Sequence, residues 1–266
     1  DAGNGNNEEI QILSDSFNSM THRIGVLVDH IKQEQDEQRR MELKLLQAQI
    51  NPHFLYNTLD TIIWLAEAGR KEQVVSMVGA LSDFFRTTLS KGQDYITIRE
   101  EELHVHSYLS IQRFRYQDIL DYQISFPQEI LSYGILKLTL QPIVENALYH
   151  GIKEKRGKGL ITVTAELADT PASDGSESPA GRDILFTVRD NGIGMRPEEL
   201  AALQEIVEGR QTAPSDSSGF GLRNVNERIR LNYGNGYGLH FESQYGAGTT
   251  VTVLIPARDS PPQNQS

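Results

Sequence analysis

The chain has 266 residues, 38% of them hydrophobic and 8% aromatic, which suits one or two ordinary folded domains and excludes wholesale disorder or a fibrous repeat. With 25 Lys and Arg against 36 Asp and Glu, the net charge is −11, which disfavours a protein built to grip nucleic acid or anionic lipid, so a polyanionic ligand must be held by local chemistry. Cysteine is absent, which excludes disulfides, thiolate metal sites and cysteine nucleophiles.

No run reaches the roughly 18–20 apolar residues of a membrane span, and no signal-peptide pattern opens the chain. The first residue is Asp1 and not Met, so a fragment is expected, with any membrane anchor in a segment missing upstream. From Ile10 the apolar residues step by threes and fours through Leu13, Phe17, Met20, Ile24, Leu27 and Ile31. The same register continues through Glu34, Gln38, Met41, Leu45 and Ala48. That frame predicts a parallel coiled coil and hence a homodimer, with an amphipathic helix lying on its own domain as the alternative.

The helical pattern persists through QINPHFLYNTLDTIIWLAEA, interrupted at Pro52, and resumes in EQVVSMVGALSDFFRTTLS before Gly92. Gly69, Arg70 and Lys71 mark a stop and turn between them. Two such hairpins make a four-helix bundle. A further helix is expected over roughly 98–115, carrying Leu103, Tyr108, Leu109 and Ile111. After Asp121 the texture changes to short strands, helices and Gly-rich loops, which places a domain boundary there. ILKLTLQPIVENALYHG reads as a helix, while LITVTAEL, DILFTVRD, HFESQ and TTVTVLIPA read as strands of a sheet with helices on one face. ADTPASDGSESPAGR is expected to be a mobile hairpin loop, GRQTAPSDSSG a lid that closes over a ligand, and RDSPPQNQS a disordered tail.

Four features point to a phosphorylated nucleotide. Glu145, Asn146 and His150 offer a carboxylate, an amide carbonyl and an imidazole, with Asn146 and His150 one helical step of four apart. Asp190-Asn191-Gly192-Ile193-Gly194 ends a strand, Gly219-Phe220-Gly221-Leu222 precedes a helix expected from Arg223 to Leu231, and Gly246-Ala247-Gly248-Thr249 leads into a strand. Glycine pairs let the backbone approach a ligand, and a helix start offers free N–H groups to phosphates. A hard cation such as Mg²⁺ takes few protein oxygens, which makes the Asn146 carbonyl a credible ligand, and Asp190 can accept from an adenine amino group. The bland readings are turns for the glycines and capping roles for the helix residues.

Among the seven histidines, His53 follows Pro52 inside a helical stretch, where a loosened turn lets the imidazole stand clear. A neutral imidazole, with an ordinary pKa near ~6.5, is a competent nucleophile towards a γ-phosphate. Asn57 shares its helical face and is placed to orient the ring or the phosphate. The alternative is a His packed against a partner helix. His22, His30, His104 and His106 read as surface or packing residues.

ENALYHG, DNGIG, GFGL and GAGTT, in this order, resemble the N, G1, G2 and G3 boxes of the ATP-binding (GHKL) fold shared by gyrase, the MutL repair proteins and sensor histidine kinases. QINPHFLYNTLD resembles the phosphoacceptor segment of LytS/YesM-type sensor histidine kinases, and EEIQILSDSFNSM the second half of a HAMP signalling module. The resemblance covers about residues 8–257. It implies an α plus α/β architecture: a HAMP-like helix and coiled coil over 1–40, a dimerisation and phosphoacceptor helical domain over 41–121, an α/β-sandwich ATP-binding domain over 122–257, and a tail over 258–266.

By position, the resemblance implies that Asn146 ligates Mg²⁺ and Asp190 recognises adenine. It also implies that Gly192, Gly194, Gly219 and Gly221 shape the pocket and its lid, with Leu222 and Thr249 in the same nucleotide-binding set. His150 and Lys153 would approach the phosphates, and Lys155, Arg156 and Lys158 extend a basic cluster. The implied activity is that of a protein-histidine kinase, a transferase that uses ATP and Mg²⁺ to phosphorylate His53. Its phosphoryl group would pass to the receiver domain of a response regulator, in a two-component system at a bacterial membrane. Phe54 stands where the larger families carry an acidic residue, which leaves the general base unassigned, with Glu145 or solvent as candidates. The rival functions are an ATPase clamp of the gyrase type, in which Glu145 activates water and no phosphohistidine forms, and a non-catalytic dimeric scaffold with decayed nucleotide binding, against which all four boxes retain their polar and glycine residues.

Overall fold

Residues 52–88, 94–169, 182–211 and 218–259 are described by a computed structural model. The heptad segment with Glu34 and Gln38, His22, His30, most of the expected hairpin loop, lid residues 212–217 and the tail from 260 lie outside the described residues. The chain divides into two compact units, Asp1–Asn57 and Thr58–Ser266. Among the described residues no helix is long and apolar enough to cross a membrane.

Helix α1 (Pro52–Glu67) ends where the turn chemistry predicts. Gly69 takes φ +70°, the Arg70 N–H reaches the Leu65 carbonyl at 2.9 Å and the Gly69 N–H reaches Ala66 at 3.0 Å. This pair of bonds is a Schellman closure, which satisfies the last carbonyls of the helix and turns the chain into α2 (Lys71–Thr88). Met77 and Phe84 of α2 are buried, and Phe84 meets Tyr108 of α3 (Ile98–Arg115) with ring centroids 6.3 Å apart. Helix α3 begins with a reciprocal cap. Thr97 Oγ1 accepts the Glu100 N–H at 3.2 Å, and Glu100 Oε2 accepts the Thr97 N–H at 2.7 Å.

The expected helix from Ile135 is divided in two. Gly134–Leu136 forms β3, antiparallel to β1 (Tyr95–Thr97), and only Gln141–Asn146 is α-helical (α4) before a π-helical segment over Ala147–Ile152. A short apolar run has no periodicity that separates strand from buried helix, and a long-range contact decides it. The buried Glu101 of α3 accepts the N–H groups of Leu138 at 3.1 Å and Leu140 at 2.8 Å. That grip holds a turn in which Leu138 has φ +58°, a conformation no helix allows.

The remaining strands are β2 (Leu120–Ser125), β4 (Gly159–Asp169), β5 (Arg182–Asp190), β6 (Gly238–Gln244) and β7 (Gly248–Pro256). They form one sheet in the order β2-β4-β5-β7-β6, with β2 and β4 parallel and the other pairs antiparallel. Ile161, Val163, Ile184, Phe186, Val188, Val251, Val253 and Ile255 are buried on one face. Residues between them, such as Thr162, Thr187 and Thr252, are less covered, as the two-residue period requires. Helices α3, α5 (Pro197–Val207) and α6 (Ser218–Tyr233), with the π segment, pack over the strands. Sequence reading assigned no helix to Pro197–Val207. Helix α6 starts at Ser218, five residues before the expected Arg223, so Gly219 and Gly221 sit in its first turn.

Candidate functional site

The strand period puts Ile184, Phe186, Val188 and Asp190 on the same face of β5. Three apolar side chains thus lead to one carboxylate at the strand's end, only 4% exposed. In the ladder Asp190 lies between Ile161 of β4 and Thr249 of β7. Its Oδ1 accepts the Gly192 N–H at 2.8 Å. Burial pushes the Asp190 carboxyl above its ordinary range, and the N–H groups of Gly192 and Thr249 pull it part of the way back. Thr249 is itself buried, its hydroxyl 2.9 Å from that of Ser243.

Glycines make this corner possible. A Cβ on Gly151 would lie 2.6 Å from Asp190 Oδ1, and one on Gly192 would overlap the Gly151 backbone. Gly194 and Gly248 add positive φ, +68° and +116°, and a side chain on either would overlap the carbonyl oxygen of Gln244 or of Asp190. Backbone bonds then close the corner. The Ile193 N–H reaches the Gly151 carbonyl at 3.1 Å, while the Ile193 carbonyl accepts from Gly246 at 2.6 Å. The ends of ENALYHG, DNGIG and GAGTT therefore meet in one structure.

Asn146 closes α4, and the π segment with His150 follows it. The change from i→i+4 to i→i+5 bonding falls between these two residues, visible in the Lys153 N–H to Leu148 bond at 3.0 Å. The segment after Asn146 is therefore π-helical and not α-helical as expected. His150 is exposed. The Lys153 ammonium stands over the rings of Tyr149 and Tyr116, 4.8 and 5.3 Å from their centroids, and the Lys155 ammonium donates to the Asn191 carbonyl at 2.6 Å.

Of the two glycines of GFGL, only Gly219 is required by packing. A Cβ on Gly219 would press on Ile206 of α5 at 2.8 Å, whereas one on Gly221 would meet Pro142 of α4 at an ordinary 3.9 Å. Pro142 lies one turn before Asn146, on the same side of α4. Leu222 is buried at 1% exposure.

Glu145 has its carboxylate on the Gln141 amide, 2.8 Å away, and burial raises it. His53 and Asn57 belong to the other unit. His53 is exposed, and the Asn57 amide donates to the His53 backbone carbonyl at 2.5 Å, a helix-local bond that steadies the turn presenting the imidazole.

Two comparisons bear on this arrangement. A family model described as "Histidine kinase" matches residues 41–120, and one described as "Histidine kinase-, DNA gyrase B-, and HSP90-like ATPase" matches residues 135–259. The chain belongs to the sensor histidine kinases. It is 35% identical over 252 residues to the sensor histidine kinase YesM of Bacillus subtilis, covering 95% of this chain and 40% of that protein. It is 34% identical to the sensor histidine kinase BtsS of Escherichia coli (82% of this chain, 34% of the relative) and 36% identical to the sensor protein LytS of Streptococcus agalactiae (88% and 37%). The chain thus spans well under half the length of these relatives.

The histidine-kinase boxes do not exhaust the site. Glu101, which shapes the turn before α4, and His104, which bonds Gln141, sit on α3 and contribute to no box. Their only sequence signal is a polar side chain one helical turn from an apolar or aromatic one: Glu101 from Ile98 and Val105, His104 from Tyr108. Burial pushes the Glu101 carboxyl up to about 7 and brings the His104 imidazole down to about 4.

Proposed function

We propose that this chain is the phosphoryl-transfer portion of a homodimeric two-component sensor kinase, with His53 as phosphoacceptor and the Asp190 corner as the seat of ATP. The observation that carries the reading is the corner itself. A lone buried carboxylate, walled by glycines that admit no side chain, is suited to accept from an exocyclic amino group such as that of adenine. Asn146 would hold Mg²⁺ through its side-chain oxygen, Gly192, Gly194, Gly219 and Gly221 would shape the pocket, and Leu222, Thr249, His150 and Lys153 would complete it. Among the described residues no cluster of three or more His, Asp or Glu side chains could hold a metal by itself. A single Asn oxygen suits a cation that shares its remaining positions with phosphate and water. Mg²⁺, when bound, neutralises charge on the phosphates.

In the proposed reaction a ring nitrogen of His53 forms a P–N bond to the γ-phosphorus as the P–O bond to ADP breaks. The chain's task is in-line placement, since phosphoryl transfer needs little covalent help. The phosphoryl group then moves to an aspartate carboxylate of a response-regulator receiver domain. The exposed apolar side chains Leu59, Ile63, Trp64, Val75 and Val78 on α1 and α2 support pairing with a second copy, as a four-helix bundle requires. Residues 1–40 would bring the signal from an upstream membrane segment.

Incubation with γ-labelled ATP and Mg²⁺ tests the assignment. Wild type should acquire acid-labile, base-stable label that His53→Gln abolishes. Equal incorporation in the two proteins removes His53 as acceptor, and ATP hydrolysis without label on the protein favours the clamp ATPase.

A further inference from the structure

A polar chain, buried at Thr87 and His104 and partly buried at Gln141 and Glu145, runs from the end of α2 to α4. Thr87 Oγ1 lies 2.7 Å from His104 Nδ1, His104 Nε2 lies 2.6 Å from Gln141 Oε1, and Gln141 Nε2 lies 2.8 Å from Glu145 Oε1. His104 is 1% exposed and Phe84 stacks on its ring at 4.7 Å. The carboxylate end sets the direction of the network. Because the Gln141 nitrogen donates to Glu145, its oxygen must accept, so His104 Nε2 carries the proton and Nδ1 accepts from the Thr87 hydroxyl. That hydroxyl also lies 3.1 and 3.0 Å from the Asp83 and Phe84 carbonyls, and Nδ1 is the nearest of the three. Each donor in the chain points from α2 towards the carboxylate. The low basicity of the buried imidazole keeps it neutral at physiological pH, with one donor and one acceptor, as the chain requires.

Apolar side chains of similar volume would fill this space without the cost of burying four polar groups. A fully satisfied polar chain instead fixes one relative placement of the helices it joins. Glu145 is the residue before Asn146, so any rotation of α4 that moves one moves the other.

We propose that His104 and Gln141 are positioning residues, which tie the C-terminal turn of α2 to the α4 segment carrying Glu145 and Asn146, so that displacement of α2 is felt at the ATP-binding segment. This rests on the ATP-site reading given above. Rupture of the chain leaves ATP able to bind and leaves α4 misplaced for transfer.

The test uses Thr87→Val, Thr87→Ser, Gln141→Met and the Thr87→Val/Gln141→Met double variant of the full chain. Each is read by ATP-Mg²⁺ affinity and by the rate of histidine labelling at saturating ATP. Thr87→Val should slow labelling roughly tenfold, within the range for a small misplacement remote from the chemistry, with the ATP dissociation constant changed less than about threefold. Thr87→Ser, which keeps the hydroxyl, should recover to within about twofold of wild type, and the double variant should be no slower than Gln141→Met alone. Packing alone predicts the opposite order, because serine leaves a methyl-sized void that valine fills. Normal labelling by Thr87→Val, a Thr87→Ser slower than Thr87→Val, or additive losses in the double variant overturns the proposal. Absence of ATP binding in wild type overturns the ATP-site reading and the proposal together.

Discussion

The Asp190 corner and the His104 chain are built by opposite means. At the corner, side chains are removed: Gly192, Gly194 and Gly248 let backbone approach backbone until no Cβ fits, Gly151 leaves room for the Asp190 carboxylate, and main-chain bonds through Ile193 close the gap. Along the chain, side chains are added: a threonine, a histidine, a glutamine and a glutamate from three helices meet end to end in the interior. The first arrangement tolerates almost no substitution because its alternative is steric overlap. The second tolerates any replacement that preserves hydrogen-bond polarity, because its alternative is an unpaired buried group.

The sharpest break between the two regions comes from a glycine substitution. Gly248→Ala should cost roughly 2–5 kcal/mol, the sum of a positive-φ penalty and forced separation of the backbone at Asp190. Gly234→Ala, at φ +100° with nothing within 4 Å, should cost only about 1–2 kcal/mol. Denaturant unfolding of both variants checks the pair, and equal losses would show that overlap at Asp190 is relieved cheaply.

Glu101→Gln addresses the polar region. It leaves an amide N–H₂ facing one of the Leu138 and Leu140 donors and should cost about 1–3 kcal/mol at neutral pH. It should also alter the pH dependence. Glu101, raised to about 7, binds its proton more tightly than the unfolded chain, where the ordinary value is 4.5, so its contribution is full below pH 4.5 and lost as pH rises to about 7. His104, lowered from 6.5 to about 4, contributes fully above pH 6.5 and loses its share as pH falls to about 4. The two slopes oppose each other in wild type. Glu101→Gln should therefore make stability climb more steeply from pH 4 to 6.5, measured by urea midpoints across that range, and an unchanged profile would refute the opposition.

Lys155→Ala carries the smallest expected effect. Its ammonium bonds the Asn191 carbonyl at the surface, and loss of that bond should lower stability by at most about 1 kcal/mol. Thermal unfolding would show it, and a larger loss would mean that the DNGIG turn depends on this lysine as well as on its glycines.

Much of the ATP-binding half was legible in the sequence, and for a local reason. The strands at Gly159–Asp169, Arg182–Asp190, Gly238–Gln244 and Gly248–Pro256 alternate through their central residues, and the glycine boxes occur as contiguous words. The turn at Gly69 and the helix over Ile98–Arg115 were equally local. The errors fell where a distant residue decides. Ile135 and Leu136 read as helix until pairing with Tyr95 and Ile96 made them a strand, and the α-to-π change after Asn146 leaves no pattern in sequence. His104 read as a surface or packing residue and is indeed packed against Phe84, but its hydrogen-bond partners, 17 and 37 positions away, were not legible.

By itself, then, the sequence determined most helices and strands, though not the helix over Pro197–Val207 or the strand at Gly134–Leu136, and which glycines let loops close, because periodicity and positive φ are properties of a few consecutive residues. Only the tertiary structure decided that Glu101 grips the turn before α4, that Glu145 bonds Gln141, and that His104 joins two helices. Burial and hydrogen-bond satisfaction depend on what the fold brings from elsewhere in the chain.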